Sequence, residues 1–120
     1  MTSIKKFLIK DLINKEPPIE VWVQGTIEQT VGKNILIISD DFGRAKITKC
    51  DTADGIINPN SLQKGTYCCI IGTAIKTKGL PEIQASKFVD LSKKPQMKDA
   101  WEKEVIEANL ILQDKIQPSL

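Results

Sequence analysis

Two turn signals, Lys64-Gly65 and Thr77 to Pro81, bracket a stretch that is apolar in both of its alternating phases. From Tyr67 to Lys76, the residues Tyr67, Cys69, Ile71 and Ile75 share one phase, and Cys68, Ile70 and Ala74 share the other. A strand points successive side chains to opposite faces, so this strand needs cover on both sides. Any fold available to the chain must supply that cover.

Four more strands are legible around it. In Ile19 to Gln29, the residues Val21, Val23, Gly25 and Ile27 alternate with Trp22, Gln24, Thr26 and Glu28, the period of two of a half-buried strand. Gly25 inside the run predicts a bend or bulge. Pro17-Pro18 just upstream stops any helix and starts something extended. Ile35 to Ser39, Arg44 to Cys50 and Glu82 to Asp90 complete the set of five. Asp40-Asp41-Phe42-Gly43 joins two of them. The acidic pair there is assigned to turn chemistry rather than to acid/base or metal chemistry, because Asp and Gly are favoured at turns by backbone geometry. Asp51 to Lys64 reads as a loop, with one helical turn around Ile56-Ile57. Lys5 to Ile13 reads as an extended segment followed by a helical turn.

Two residues sit awkwardly in this pattern. Trp22 lies on the otherwise polar phase of its strand, either packed beneath a loop or helix or facing a partner as an anchor. Lys87 falls in phase with Ile83, Ala85 and Val89. Either a bulge turns it outward, or its charge borders an apolar interface.

After a polar connection at Asp90 to Pro95, the pattern becomes helical from Gln96 to about Lys115, and Pro118 marks the stop. At 100° per residue, Met97, Trp101, Val105, Ala108 and Leu112 form one stripe, with Ile106 and Leu110 almost opposite. The expectation is a helix that packs on its own domain and on a partner.

Composition narrows function by exclusion. With 120 residues, 41% hydrophobic and 27% charged, the chain is one globular domain. No apolar run reaches the length of a membrane span, and no signal-peptide pattern opens the sequence, so secretion is not expected. Seventeen basic and fifteen acidic residues leave +2, far from the excess of a protein devoted to phosphate backbones. The absence of histidine removes Ser-His-Asp triads, Cys-His dyads and His-ligated metals. Cys50, Cys68 and Cys69 lack both the even number of a disulfide framework and the fourth ligand of a zinc site. They read as small buried hydrophobes. No catalytic residue, metal or cofactor is assigned, and the chain is not expected to be an enzyme.

Five strands, a helical connection between the third and fourth, and a closing helix match the order of the OB fold. The expected class is all-β with helices: a single OB-fold five-stranded barrel with a C-terminal α-helix. The expected organisation is an N-terminal segment 1–18, the barrel 19–92 and a C-terminal interface helix 93–120.

Within that frame Val21-Trp22-Val23-Gln24-Gly25 resembles the first-strand signature of the RecQ-mediated genome instability protein 2 family. The resemblance continues in Lys64-Gly65-Thr66-Tyr67 with Gly72. It is strongest in Gln84-Ala85-Ser86-Lys87-Phe88-Val89-Asp90-Leu91-Ser92, then Pro95, Trp101-Glu102 and Glu104-Val105. It covers roughly residues 19 to 109, with Phe7 to Ile13 fitting more loosely. The chain departs from the vertebrate pattern in a shorter N-terminus and an extension beyond Asn109.

The resemblance implies a non-catalytic nuclear subunit for DNA repair and recombination. It would form a heterodimer with the C-terminal OB domain of RecQ-mediated genome instability protein 1. Through that protein it would join topoisomerase III and a Bloom-type RecQ helicase in dissolving double Holliday junctions, with little DNA binding of its own. The partner-binding residues implied are Lys87, Met97, Trp101, Val105, Ala108 and Leu112, with Trp22 as a secondary contact and Trp101 as main anchor. The competing expectation is a single-strand DNA-binding subunit of the replication protein A or telomere-capping kind. In it Trp22, Phe42 and Tyr67 would stack bases, and Lys33, Arg44, Lys46, Lys49, Lys76 and Lys78 would line phosphates.

Overall fold

The alternating apolar residues of the first long strand set the architecture. Val21, Val23 and Ile27 point inward and are fully buried, while the strand turns from one neighbour to the next. The computed structural model describes residues 5–32, 34–55, 62–93 and 95–112, with side chains of the final helix described over 96–107. Its strands are β1 (Lys5–Lys6), β2 (Ile19–Val31), β3 (Ile35–Asp40), β4 (Gly43–Thr48), β5 (Tyr67–Lys76) and β6 (Glu82–Asp90). Short 3-10 turns occupy Ile9–Asn14 and Cys50–Thr52, and helix α1 spans Pro95–Leu112.

The sheet runs β1-β2-β3-β4-β6-β5 and closes through β2–β5 pairing. All neighbours are antiparallel except β4–β6 and β1–β2. Closure removes the open edges of β2–β6. One strand thus serves two partners: residues 19–26 of β2 pair with β5, and residues 26–31 pair with β3. Gly25 sits at this handover. A Cβ there would lie 2.8 Å from the Ser39 carbonyl oxygen, so the close approach of β3 requires glycine. The expected irregularity does occur, two residues later: the register with β3 shifts between Ile27 and Gln29.

Three features that the strand pattern alone leaves open have physical causes. First, the N-terminal segment is part of the barrel rather than a separate piece. β1 pairs with β2 through Lys5–Val21 and Lys6–Trp22, on the side that β3 leaves free. Phe7, Ile9 and Leu12 then enter the barrel core beside Val21, Ile38, Ile47, Ile70 and Phe88. Second, the strand read as far as Cys50 ends at Thr48, and a 3-10 turn follows at Cys50–Thr52; the turn expected at Ile56-Ile57 lies outside the described residues. Third, β6 carries a bulge. Lys87 pairs with Ile71 but Ala85 pairs with Gly72, leaving Ser86 as the extra residue. The bulge resets the phase, so Phe88 rather than Val89 enters the core and both Ser86 and Lys87 are exposed. Of the two alternatives for Lys87, the structure therefore takes the first, an outward turn by a bulge.

The double cover required by β5 is present. Cys68, Ile70 and Ala74 face the barrel core. Tyr67 and Cys69 face outward and are buried with Leu91 under Trp22, Ile71, Val89 and Met97. Among the described residues, no helix is long and apolar enough to cross a membrane.

A candidate partner-binding face on the outer side of the barrel

The outer face of β2 and β5 carries the residues the sequence singled out. Trp22, in register with Ile71 on β5 and Lys6 on β1, stacks on Trp101 of α1 with ring centroids 6.2 Å apart and planes at 27°. Trp101 and Val105 are buried with Leu8, at 3% and 0% exposure. Their spacing of four places both on one side of the helix. Lys6 reinforces this junction, with its ammonium 4.7 Å from the Trp22 ring centre and 3.3 Å from a Glu104 carboxylate oxygen. The Trp101 indole N–H meets no hydrogen-bond acceptor among the described residues, whereas that of Trp22 is directed at the Cys69 sulfur, a weak acceptor. Trp22 thus takes the first of its two assignments, beneath a helix, and that helix is the chain's own.

This arrangement redistributes the helix stripe. In this conformation Trp101 and Val105 are occupied inside the chain and offer no surface to a partner. Ala108 and Leu112 have side chains outside the described residues, as does Leu110. Ile106 stays 46% exposed on the far side. Met97 lies at the edge of the buried stripe and only half enters the cluster of Tyr67, Cys69 and Leu91. Its half-buried neighbours Ile71 and Val89 come from β5 and β6, and the exposed Lys87 flanks Ile71 across the ladder. The positive charge of Lys87 is felt by the Cys69 thiol, although burial dominates there and pushes its pKa up to about 12. The structure thus brings together Lys87 and Met97 of the six expected partner contacts. It adds Ile71 and Val89, which no motif or periodicity favoured over other strand residues.

The rest of this face is sealed by polar pairing. Gln24 is 1% exposed despite its polar phase, because its side-chain oxygen accepts a 2.9 Å hydrogen bond from the Tyr67 hydroxyl. Burial, and secondarily the neighbouring Cys68, Cys69, Asp40 and Asp41, push the Tyr67 phenol well above its ordinary range, so it remains a donor at neutral pH.

The residues proposed for stacking and phosphate contact are dispersed and largely engaged. Trp22 is under α1, and Tyr67 is buried. Phe42 is 40% exposed, with the Lys10 ammonium 4.5 Å over its ring. Arg44 donates to Glu28 at 2.7 Å, and Lys46 lies 3.7 Å from Glu82. Lys49, Lys76 and Lys78 are exposed, and Lys33 lies outside the described residues. Asp40 is a turn residue, as assigned. Its carboxylate accepts from the backbone N–H groups of Phe42 and Gly43 at 2.8 and 2.9 Å, and from that of Ile9 at 2.8 Å. Among the described residues, no cluster of three or more Cys, Asp or Glu is placed to hold a metal ion. All three thiols are free and buried.

Comparison with solved structures shows the fold. A chain of a replication protein A heterotrimer bound to single-stranded DNA superposes with a TM-score of 0.70 at 11% identity, covering 91% of this chain and 97% of that one. A chain of the S. pombe Stn1–Ten1 complex gives 0.60 at 16% identity, covering 85% and 94%. An OBody bound to hen egg-white lysozyme gives 0.57 at 19% identity, covering 75% and 97%. No curated protein sequence matches the chain significantly. At these identities the likeness speaks for the OB fold alone. The sequence itself carries the closer relation: residues 10–109 match the profile of RecQ-mediated genome instability protein 2. A five-stranded closed barrel, a helix sealed onto its outer face by Trp22 and Trp101, and a match over most of the chain lead to one assignment: the protein belongs to the RecQ-mediated genome instability protein 2 family.

Proposed function

We propose that this protein is a non-catalytic subunit that pairs with another OB domain, the C-terminal one of RecQ-mediated genome instability protein 1, to stabilise a nuclear RecQ helicase–topoisomerase III complex acting in double Holliday junction dissolution. The observation that carries the reading is the half-covered apolar face formed by Ile71, Val89 and Met97 beside Lys87. It continues a fully buried cluster, so a partner would extend an existing core rather than build one. Two of the OB-fold neighbours come from assemblies, the Stn1–Ten1 complex and the replication protein A heterotrimer, which supports pairing as the mode of action. The absence of histidine and the near balance of charge favour binding over catalysis or dedicated DNA contact.

The anchoring side chains in this reading are Met97, Val89 and Ile71. Fully burying an apolar side chain contributes about 1.5–3 kcal/mol; these three are already mostly buried, so roughly a third of that or less remains available for each. Lys87 sets orientation through a carboxylate or carbonyl on the partner. The test is co-expression with the partner OB domain. Met97→Glu and Val89→Glu are expected to abolish co-purification while the barrel stays folded by circular dichroism. Unchanged recovery of the pair in both variants overturns this face as the interface.

A further inference from the structure

A second surface lies beside the Asp40–Gly43 turn and shares no lining residue with the Ile71, Val89 and Met97 face. It is a cleft of about 270 Å³ between the 3-10 turn Ile9–Asn14, Phe42 and Arg44 around the β3–β4 turn, and the β5–β6 turn. Ile13 is 54% exposed and Phe42 40%, both on its wall. Large apolar side chains exposed together are the mark of an interaction surface. Buried Ile9 and Pro81 complete the apolar lining.

The walls are fixed. The Asp40 carboxylate ties the Ile9 N–H to those of Phe42 and Gly43. On the other side Thr77, 2% exposed, donates its hydroxyl to the Lys15 carbonyl at 2.9 Å. Pro81 accepts from the Lys46 N–H at 2.8 Å. The cleft is therefore preorganised, which lowers the entropic cost of binding.

Its charge has one sign. The lining includes Lys10 and Arg44 and no carboxylate. Lys76 and Lys78, both exposed, stand at the β5–β6 turn. Glu28 engages Arg44 through Nε, but a guanidinium has four further N–H donors. The groove on the α1 side of the same turn differs, with Asp40, Asp41 and Glu102 against Lys98 alone. Phe42 lines both.

We infer that the cleft between Ile13, Phe42 and Pro81 is a docking site for an acidic segment of a partner protein, which inserts a bulky apolar side chain between Ile13 and Phe42 and places flanking carboxylates on Lys10 and Arg44. A peptide fits better than a nucleic-acid strand. The Phe42 ring already carries the Lys10 ammonium, the remaining lining is aliphatic rather than aromatic, and the cavity holds one or two side chains rather than a run of stacked bases.

The test uses the full chain labelled with nitrogen-15. The probes are the peptide acetyl-Asp-Glu-Asp-Phe-Leu-Asp-Glu-amide, its counterpart with lysine at every acidic position, and a short oligothymidylate. The acidic peptide is expected to shift the amide signals of Lys10, Ile13, Phe42, Gly43 and Gly79 and to leave those of Ile71, Val89 and Met97 in place. Lys10→Glu is expected to weaken it about tenfold or more, since like charges in an interface are strongly unfavourable; Ile13→Asp should do the same with the fold intact. Equal binding of the lysine peptide, shifts elsewhere, concentration-dependent self-association through these residues, or tighter binding of the oligothymidylate would each overturn the proposal. The outcome is separable from the pairing reading, whose test rests on Met97 and Val89.

Discussion

Replacing Trp101 by alanine isolates the junction that holds α1 to the barrel. The indole is 97% removed from solvent, at 3% exposure, and a buried tryptophan covers roughly 150–250 Å². At about 25 cal/mol per Å² that is about 4–6 kcal/mol of burial. Against this stands the indole N–H, which has no acceptor among the described residues; freeing such a donor returns about 1–3 kcal/mol. Taking the middle of each range, the net cost of Trp101→Ala is about 3 kcal/mol, or roughly 2–4, at the lower end of what Trp→Ala changes usually cost. The loss should fall on helix docking, because Trp101 and Val105 with Leu8 and Trp22 form the buried seat of α1 on the barrel, flanked by Met97 against Tyr67, Cys69 and Leu91 and by the Lys6–Glu104 pair. That exposed pair contributes about 0–1 kcal/mol, and an isolated 18-residue helix is marginal in water. Amide exchange in α1 is expected to accelerate about 30- to 700-fold, following 1.4 kcal/mol per tenfold, while β5 and β6 keep their protection. The chain has two tryptophans, so in this variant Trp22 alone reports, and its emission should move to the red. Trp101→Phe should cost about 1 kcal/mol or less, since it keeps most of the packing and removes the unpartnered donor. Uniform loss of protection across barrel and helix in Trp101→Ala, or an unshifted Trp22 emission, would refute the idea of a separately docked helix.

Three further outcomes follow from the geometry. Asp40→Ala should lower stability by about 2–3 kcal/mol in urea unfolding, because its carboxylate serves three backbone N–H groups and hydrogen bonds to charged groups are the stronger kind; Asp40→Asn should lose less. Gly72→Ala should prevent barrel closure, since a Cβ there would sit 2.1 Å from the Gln84 carbonyl oxygen, and the expected readout is loss of the cooperative thermal transition. Burial pushes Cys50 from its ordinary 9.0 up to about 11 and Cys69 up to about 12, and raises Cys68 further. Well below pH 9 both native and unfolded chains keep these protons. As pH approaches and passes 9 the unfolded chain releases them first, so stability should be flat from pH 7 to about 8 and then fall as pH rises towards the folded values. Native thiols should resist Ellman's reagent at pH 8, and all three should react after denaturation.

The strands and most of their inward phases are legible in the amino-acid pattern. Tyr67–Lys76 and Glu82–Asp90 have the bounds read from pattern and turn residues, and Val21, Val23 and Ile27 are buried as their alternation requires. These features are local: a period of two and a glycine or proline at its ends suffice to express them. What covers the second face of a strand is not local. That Trp101 is sealed against Trp22 by the chain's own helix, leaving Met97 at the open edge, depends on where α1 lands. That Phe7 and Leu12 belong to the barrel depends on β1 taking the side of β2 that β3 leaves free. The bulge at Ser86, which turns Lys87 outward and Phe88 inward, appears only when β5 and β6 are laid together. Periodicity says which side of an element is apolar; what meets that side is set by folding, because the answer lies in residues up to 98 positions away, as between Lys6 and Glu104.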